Sequence, residues 1–372
     1  MARENGTPTL EERGQLDAAR GGDEAAFRGL VEPHRAELHA HCYRMLGSVH
    51  DAEDALQDAL LRAWRGLRGF EARSSLRSWL YRIATNTCLD VIARRPKRAL
   101  PIDYGPPRHP DQGPLLPLAE SVWIEPYPDE ALGRPDGYAS PDARYEQREA
   151  VELAFIAALQ LLPANQRAAL ILREVLGFSA REVAETLDTT TASVNSALQR
   201  ARKTVEERLP ERSQQSTMRS LGDDGVREVV AGYVEAWDRG DIDAVVAMLT
   251  EQASFAMPPA PSWHRGSEQL TTFLGAGPLS GEWRWRHTPV SANGQPALAF
   301  YCWDDASQAY LAFALNVLSI RDRRIDDVTA FIARSTEPTD LEAYRRWPEE
   351  PMAPERFEDF FGRFGLPEAL PD

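Results

Sequence analysis

The chain has 372 residues, 43% of them hydrophobic, and a formal net charge of -15 at pH 7. This length is enough for two or three compact domains with separate cores. The acidic balance excludes a protein that coats nucleic acid through its overall charge, so any nucleic-acid contact must use local basic patches. The three cysteines show no CxxC spacing, which favours a reducing compartment over a disulfide scaffold.

The sequence gives no sign of membrane insertion or of a metal site. Its first segment, MARENGTPTLEERGQ, has no apolar core for a signal peptide, and no run of about 18 apolar residues occurs. In the sequence HAHC, residues 39–42, a helix would point His39 and His41 to nearly opposite sides, which argues against metal binding. We therefore expect a soluble cytoplasmic protein that makes no membrane contact and needs neither a metal nor a cofactor.

Two breaks in composition divide the chain. Residues 99–141 contain ten prolines and seven acids against two arginines, without a helical or strand period, and are predicted to be a linker. A second break, the polar segment 210–225, separates helical sequence from a part with strand alternation. The predicted domains are therefore 16–98, 142–209 and 226–334, followed by an acidic C-terminal tail at 335–372.

The first domain is predicted to be helical. Its segment DAEDALQDALLRAWRGL repeats apolar residues at helical spacing (Ala55, Leu56, Ala59, Leu60, Ala63 and Trp64). The opposite face of this helix carries Asp51, Asp54, Gln57 and Asp58. By itself this pattern indicates only an ordinary amphipathic helix.

The charge changes sign after this helix. Between residues 62 and 98 there are ten Lys or Arg against two acids, interleaved with Phe70, Trp79 and Tyr81. Basic residues mixed with aromatic ones suit single-stranded DNA, because phosphates need cations and unstacked bases need flat apolar partners. The pattern equally fits aromatic residues that belong to the core beneath a solvated basic face.

The second domain has the pattern of a helix-turn-helix. Ser179 and Glu182 form a capping box that starts a short helix ending near Asp188, and three threonines then turn the chain. We predict Thr191 as the N-cap of the next helix, which buries Val194, Leu198, Ala201 and Val205. Its outer face carries the candidate DNA-binding residues Ser193, Asn195, Ser196, Gln199, Arg200, Arg202 and Lys203. Amides can bond adenine edges, Arg guanine edges, and Lys203 or Arg202 phosphate. A plain helical hairpin in a bundle is the alternative.

The order of these blocks resembles a known family. Residues 26–98, with DAEDALQDALLRAW and SSLRSWLYRIATNTCLDVIARR, resemble region 2 of extracytoplasmic-function sigma factors. Residues 150–209, with LPANQRAALILREVLGFSAREVAETL and SVNSALQRAR, resemble region 4. The resemblance implies two all-α sigma domains, in which the helix at 192–208 reads the minus-35 element. Asn195, Ala197 and Gln199 stand where many relatives have Arg, so no promoter sequence can be carried over.

The resemblance also implies roles for the first domain. The helix face with Asp51, Asp54, Gln57 and Asp58 is expected to dock on the clamp helices of the RNA polymerase large subunit. The following segment is expected to open and read the minus-10 element, and Asn86 is expected near the pocket for an extruded base. The candidate residues for this element are Arg77, Trp79, Tyr81, Arg82, Asn86, Arg94 and Arg95.

The third domain combines helices with alternating segments such as GEWRWRHTPVSA and AYLAFALNVLSIRD. It resembles the SnoaL-like domains, cone-shaped α+β folds that some sigma factors of the sigma-G type carry, and the sequence FEDFFGRFGLPEALP also looks like theirs. In enzymes of this fold a carboxylate or His acts as general base, for which His264, Asp304 and Asp305 are the candidates. The candidate pocket is formed by Trp263, His264, Trp285, Tyr301 and Trp303, with Trp283 as a further wall. These residues equally fit an ordinary core, and a regulatory role between domains is favoured over catalysis.

We therefore expect an alternative sigma factor, not an enzyme, that binds core RNA polymerase and promoter DNA and is monomeric when free. Its SnoaL-like domain is expected to regulate it in cis, with a small-molecule ligand as a further candidate partner. The alternative is a one-component, ligand-sensing helix-turn-helix regulator, and an enzyme fused to a DNA-binding region ranks third. A regulator of that kind would bind duplex DNA without polymerase.

Overall fold

The computed structural model describes residues 10–71, 74–113, 118, 122–132, 148–333 and 360–372, of which 10–12 are described by their backbone only. The rest of the predicted linker, the start of the second predicted domain and most of the predicted tail lie outside these residues. The chain divides into two compact units. The first comprises Met1–Lys97, Ala131–Ala150 and Ala158–Arg208, and the second comprises Arg98–Glu130, Val151–Ala157 and Leu209–Asp372.

The α-helices of the described residues are numbered in chain order. They are α1 (Leu10–Arg20), α2 (Glu24–Val31), α3 (Arg35–Leu46), α4 (Val49–Gly66), α5 (Leu76–Ile92), α6 (Pro101–Tyr104), α7 (Leu153–Leu161), α8 (Ala164–Leu170), α9 (Ala180–Thr186), α10 (Thr191–Glu206), α11 (Gln214–Asp238), α12 (Ile242–Ala247) and α13 (Ser267–Ala276). A π-helical turn, Ile171–Val175, continues α8. Shorter 3₁₀ turns are Glu32–His34, Leu67–Gly69, Pro110–Gln112, Asp129–Leu132 and Gly362–Phe364.

In the first unit, α3, α4 and α5 pack against one another. The apolar stripe predicted for α4 is confirmed, since Ala55, Leu56, Ala59 and Ala63 are buried and Leu60 and Trp64 are half-buried. Full burial of one such leucine contributes about 1.5–3 kcal/mol. Ser48 caps α4 by accepting a hydrogen bond from the N–H of Asp51 at 3.1 Å.

The same packing brings two cysteines together that lie far apart in sequence. Cys42 of α3 and Cys88 of α5 are both buried and free. Burial, followed by a hydrogen bond with Cys42, raises the pKa of Cys88 well above its ordinary value. The Cys88 thiol is therefore a protonated core group.

A buried arginine joins α8 to the end of α3. Arg167 is 3% exposed, and its guanidinium donates to the carbonyl of Met45, to Oε1 of Gln160 at 2.5 Å and to the carbonyl of Gln160 at 3.0 Å. Burial lowers the pKa of Arg167 to about 10. Gly47 ends α3 with a φ of 69°, and a Cβ at this position would lie 3.1 Å from the Gln160 side chain. Both the backbone angle and the close approach favour glycine there.

Helices α9 and α10 form the predicted helix-turn-helix. The capping box is confirmed, because the Ser179 side chain accepts from the N–H of Glu182 and Glu182 accepts from the N–H of Ser179. The burial of Val194, Leu198, Ala201 and Val205 in α10 is confirmed as well. The predicted N-cap Thr191 is wrong by one residue: Thr190 accepts the N–H of Ser193 at 3.1 Å, and Thr191 is the first helical residue.

The second unit contains an α+β fold. Within the described residues its strands form one seven-stranded sheet in the order β2-β1-β6-β5-β4-β3, with β7 paired to β5. The β1–β6 pair is parallel and the other pairs are antiparallel. The strands are β1 (Leu249–Ala256), β2 (Trp263–Arg265), β3 (Trp285–Ala292), β4 (Gln295–Asp304), β5 (Ala309–Arg321), β6 (Arg324–Ile332) and β7 (Ala369–Leu370).

One face of this sheet forms the core of the unit with α11. Tyr233 and Trp237 of α11 share a buried apolar cluster with Phe255, Leu298 and Phe300. Helix α11 is interrupted at Gly222, whose φ of 71° is not helical. The polar segment 210–225, predicted as a break, thus contains the first part of α11, and Gln214 and Gln215 there are buried.

Parts of the predicted linker have regular structure and belong to the second unit. Pro101 occupies the first turn of α6, where its missing N–H costs no hydrogen bond. Ala99 forms an isolated bridge with Trp123, which is 3% exposed. The N–H of Ala99 donates to the carbonyl of Val122 at 2.9 Å. The high proline content did not indicate this, because the stabilising contacts come from residues distant in sequence.

Candidate polymerase and promoter interfaces

The outer face of α10 presents polar side chains in one exposed stripe. The seven predicted residues, Ser193, Asn195, Ser196, Gln199, Arg200, Arg202 and Lys203, are all exposed. Arg202 lies 2.5 Å from Glu174 and Lys203 lies 4.0 Å from Glu207, so both cations are also within reach of acids. Exposed ion pairs contribute little, and these cations can exchange their partners for phosphate. The arrangement matches a recognition helix that buries one face and presents amide and guanidinium groups on the other.

Helix α5 carries the second candidate interface. Arg82 and Asn86 are four residues apart and exposed, so they lie on one side of the helix, and Arg94 and Arg95 are exposed beyond its end. These four of the seven predicted minus-10 residues are exposed in the first unit. The guanidinium of Arg95 also pairs with Asp51.

The other predicted minus-10 residues are packed within the unit. Tyr81 is 1% exposed, donates to Glu37 at 3.2 Å and contacts the ring of Phe178 edge-on at 5.4 Å. Burial, and then the charge of Glu37, raise the pKa of Tyr81. The Arg77 guanidinium lies 4.8 Å from the ring centroid of Tyr81 and 5.0 Å from that of Phe178.

Trp79 is half-buried and packs on Phe70 with ring centroids 4.8 Å apart. Trp79 and Tyr81 therefore fit the core alternative of the sequence pattern. Phe178, which precedes α9, contacts Tyr81 and Arg77. A T-shaped aromatic pair of this kind has no sequence signal, because its two members are separated by about 100 residues of chain.

The acidic face of α4 is partly as expected. Asp54, Gln57 and Asp58 are exposed. Asp51 is only 6% exposed and is paired with Arg95, so it does not belong to the exposed face. Leu61 does belong to it and is 52% exposed. The signal for Leu61 was present in the sequence, since it lies three residues after Asp58 and four after Gln57.

The five residues of the predicted pocket are not brought together. Trp285 pairs with Cys302, and His287 pairs with Phe300. Tyr301 and Trp303 alternate with Phe300 and Cys302 along β4. They therefore lie on the face of the sheet opposite to Trp285. There the ring of Tyr301 contacts Phe361, and its hydroxyl donates to the carbonyl of Pro367 at 3.1 Å.

Trp263 and His264, the remaining pocket candidates, hold the predicted linker. The Nε1–H of Trp263 donates to the carbonyl of Gly105 at 2.8 Å. Nδ1 of His264 lies 2.7 Å from the carbonyl of Arg108, and the N–H of Arg108 donates to the carbonyl of Trp263 at 2.8 Å. Burial lowers the pKa of His264, which suits a neutral ring that donates to a carbonyl. Of the two carboxylates considered as bases, Asp304 accepts from the N–H of Ser307 at 2.7 Å and Asp305 from the indole of Trp303 at 2.7 Å.

A second anchor holds both ends of the chain between the helical regions. Asn293, in the turn between β3 and β4, is 0% exposed. Its Oδ1 accepts from the N–H of Tyr127 at 2.9 Å, and its Nδ2 donates to the carbonyl of Val151 at 2.8 Å. Next to it, the N–H of Gly294 donates to Asp129 at 2.7 Å. The sequence reading missed Asn293, whose only local signal is the turn dipeptide Asn-Gly.

Neither a membrane-spanning helix nor a metal-binding cluster is present in the described residues. No helix there is long and apolar enough to cross a membrane. No group of three or more His, Cys, Asp and Glu is placed there to hold a metal ion.

Three families match the chain in succession. Sigma-70 region 2 matches residues 30–98, sigma-70 region 4 matches 146–205, and the SnoaL-like domain matches 230–328. The ECF RNA polymerase sigma factor SigG of Mycobacterium tuberculosis (strain H37Rv) is 41% identical over 313 residues, which are 84% of this chain and 82% of that protein. The RNA polymerase sigma-H factor of Pseudomonas aeruginosa is 30% identical over 202 residues, 54% of this chain and 95% of its own length. The crystal structure of the extracytoplasmic-function sigma factor SigJ of M. tuberculosis has a TM-score of 0.49 at 22% identity, covering 85% of this chain and 97% of that one.

A helix-turn-helix behind a helical domain with basic and acidic faces, followed by an α+β domain, defines a sigma-70-type transcription factor with a SnoaL-like extension. The 41% identity to SigG over most of both chains places this protein in the family of extracytoplasmic-function RNA polymerase sigma factors. It is an alternative sigma factor that directs core RNA polymerase to promoters, and this role is not enzymatic. The predictions of the family, the fold class and the two macromolecular partners are thereby confirmed.

Proposed function

We propose specific contacts for the three exposed surfaces of the first unit. Asp54, Gln57 and Asp58 of α4, together with the exposed Leu61, dock on core RNA polymerase. The basic stripe from Arg82 to Arg95 contacts the minus-10 element. The outer face of α10 reads the minus-35 element. The exposure of these side chains and the family's resemblance support the assignments, and we place this work in the cytoplasm, where core polymerase acts.

The second proposal concerns control: the C-terminal domain regulates the sigma regions in cis by holding the linker between them. The observation that supports this proposal is that Asn293 bonds Tyr127 on one side of residues 133–147 and Val151 on the other, at 2.9 and 2.8 Å. Trp263 and His264 bond the linker nearer to region 2, through Gly105 and Arg108.

The linker is the tether between regions 2 and 4, so anchoring it changes how far apart the two regions can lie. Once regions 2 and 4 leave the packing that they show in the first unit, a free linker would let them sample many separations, whereas a linker anchored at several points restricts the available separations. Promoter elements lie at a fixed spacing, so an anchored linker biases the sigma regions toward or against that spacing. The C-terminal domain can therefore change promoter use without contacting DNA.

In vitro transcription with core polymerase tests this control. The full chain is compared with a chain that ends after residue 212, on one cognate promoter at matched concentrations. We expect the two proteins to give different transcript levels, since the shorter chain keeps both sigma regions and loses every linker anchor. Equal transcript levels over a range of salt concentrations would contradict regulation in cis.

A further inference from the structure

One arginine joins the first helix to the chain segment that leads into α5. Arg20 is the last residue of α1, and its Nη2 donates to the carbonyl of Phe70, which lies 50 residues further along the chain. Its Nη1 also donates to Asp17 at 3.3 Å. The side chain of Asp17 is 76% exposed, so this second bond contributes little. The bond to Phe70 is therefore the contact that fixes the guanidinium.

Phe70 is held by packing as well as by this bond. It is 7% exposed and shares a buried apolar cluster with Leu16 and Ala19 of α1, Leu30 of α2 and Leu67. Its N–H donates to the carbonyl of Leu67 at 3.1 Å, which closes the 3₁₀ turn that follows α4. Helix α1 thus contacts Phe70 twice, through the ring and through the carbonyl.

Trp79 connects Phe70 to the exposed side of α5. The ring centroids of Phe70 and Trp79 are 4.8 Å apart. Trp79, Arg82 and Asn86 follow one another at spacings of three and four residues, so they lie on one side of the helix. Trp79 is half-buried, whereas Arg82 and Asn86 are exposed. The first residue of this side of α5 is therefore attached, through Phe70, to α1.

The surroundings of Arg20 indicate a role in positioning more than in overall stability. Its Nε is buried and has no hydrogen-bond partner within the described part of the chain. A buried donor without a partner lowers stability, which offsets much of what the bond to Phe70 contributes. A methionine would keep the aliphatic stem and remove both effects, so it should cost the fold little. What Arg20 adds is a donor directed at the carbonyl of Phe70.

We infer that Arg20 is a positioning residue for recognition of the minus-10 element. By holding the carbonyl of Phe70 it fixes Trp79, and through Trp79 the side of α5 that presents Arg82 and Asn86 to the opened promoter. The inference rests on the proposed contact of the stripe from Arg82 to Arg95 with this element. It adds a residue that precedes the match to sigma-70 region 2, which begins at residue 30.

Promoter binding by the complex of the full chain with core polymerase tests this role. One DNA probe has a minus-10 element that is opened by mismatches, and the other is a duplex with the minus-35 element alone. We expect Arg20→Met to weaken binding of the opened probe about two- to tenfold, the effect of one hydrogen bond. Its binding of the minus-35 duplex and of core polymerase should equal that of wild type. Arg20→Lys restores a donor and should recover part of the loss.

Two variants of the same helix are the controls. Arg13→Met makes the same substitution at an exposed position of α1, and Asp17→Asn changes the other partner of Arg20. Both should bind the opened probe as wild type does. Arg82→Ala separates the inference from the proposed function. If Arg82→Ala binds the opened probe as wild type does, the minus-10 contact and the inference are both overturned. A loss with Arg82→Ala but none with Arg20→Met overturns the inference alone.

A purely structural role of Arg20 would give a different pattern. Arg20→Met would then lower the affinity for core polymerase, the affinity for the minus-35 duplex and the urea-denaturation midpoint together with binding of the opened probe, and this result would overturn the inference. Arg20→Lys that binds the opened probe no better than Arg20→Met would overturn it as well. If Arg20→Met does not fold, Arg20→Gln takes its place, since its amide is too short to reach the carbonyl of Phe70.

Discussion

Replacing Asn293 with glycine should release the linker from the C-terminal domain. Asn293 has a φ of 56°, in the left-handed region, which glycine adopts without strain. The substitution therefore keeps the turn between β3 and β4 and deletes only the carboxamide. What is lost is one hydrogen bond to the N–H of Tyr127 and one to the carbonyl of Val151.

The size of the effect follows from the burial of these partners. Tyr127, Val151 and Asn293 are all 0% exposed. A buried backbone group that loses its partner costs about 1–3 kcal/mol, so the two together cost about 2–6 kcal/mol. The backbone hydrogen bond from the N–H of Asn293 to the carbonyl of Tyr127, at 2.8 Å, remains in the variant. The loss of stability should therefore lie near the lower end of this range.

Amide hydrogen exchange measures this loss directly. If local opening around Tyr127 costs about 2 kcal/mol less in Asn293→Gly than in wild type, the Tyr127 amide should exchange about 30-fold faster, since each 1.4 kcal/mol is a factor of ten. Asp322→Gly is the matched control, because Asp322 also has a positive φ (49°) but is exposed in another turn. Exchange of the Tyr127 amide that is equally slow in wild type, Asn293→Gly and Asp322→Gly would refute the assigned anchor.

Three further changes test the surfaces and the core of the first unit. The double variant Asp54→Lys with Asp58→Lys should bind core polymerase more weakly, because the partner surface would then face like charge. Glu24→Lys on α2 is the control. Unchanged pull-down of core polymerase by the double variant would contradict the docking role. Gln199→Ala or Arg200→Ala should relax base preference at single minus-35 positions by about 1–3 kcal/mol, whereas Lys203→Ala should weaken all sequences alike; identical effects in binding assays would mean that α10 faces the other way. The first unit should lose stability as pH falls from 6.5 toward 3, because burial lowers the pKa of His41 to about 3 and only the unfolded chain takes up the proton. The slope from this group is at most about 1.4 kcal/mol per pH unit, and His41→Gln should flatten urea-denaturation midpoints measured across that range.

Local features of the fold could be predicted from the sequence. The capping box of Ser179 and Glu182 acts over three residues, and the buried stripe of α10 repeats within one helix. Both features depend only on residues that are close in sequence, and both predictions are confirmed. The N-cap was misplaced within a run of three threonines, where every residue can cap and only the backbone decides.

Features that depend on distant residues could not be predicted. Tyr81 was assigned to DNA from its basic surroundings, but Glu37 of α3 and Phe178, which precedes α9, contact it in the core. The predicted pocket failed on strand register, since Trp285 pairs with Cys302 and so lies opposite to Tyr301. The anchoring of the linker depends on a hydrogen bond between Tyr127 and Asn293, which are 166 residues apart.

We propose that the C-terminal domain of this sigma factor sets its activity in transcription through the linker. Promoter-specific run-off transcription, with core polymerase and with wild type or Asn293→Gly, tests it most directly. We expect a defined start site only when core polymerase and the protein are both present, and a changed transcript level for Asn293→Gly but not for Asp322→Gly. Tight binding of the protein alone to duplex promoter DNA, with no transcript on addition of core polymerase, would contradict it.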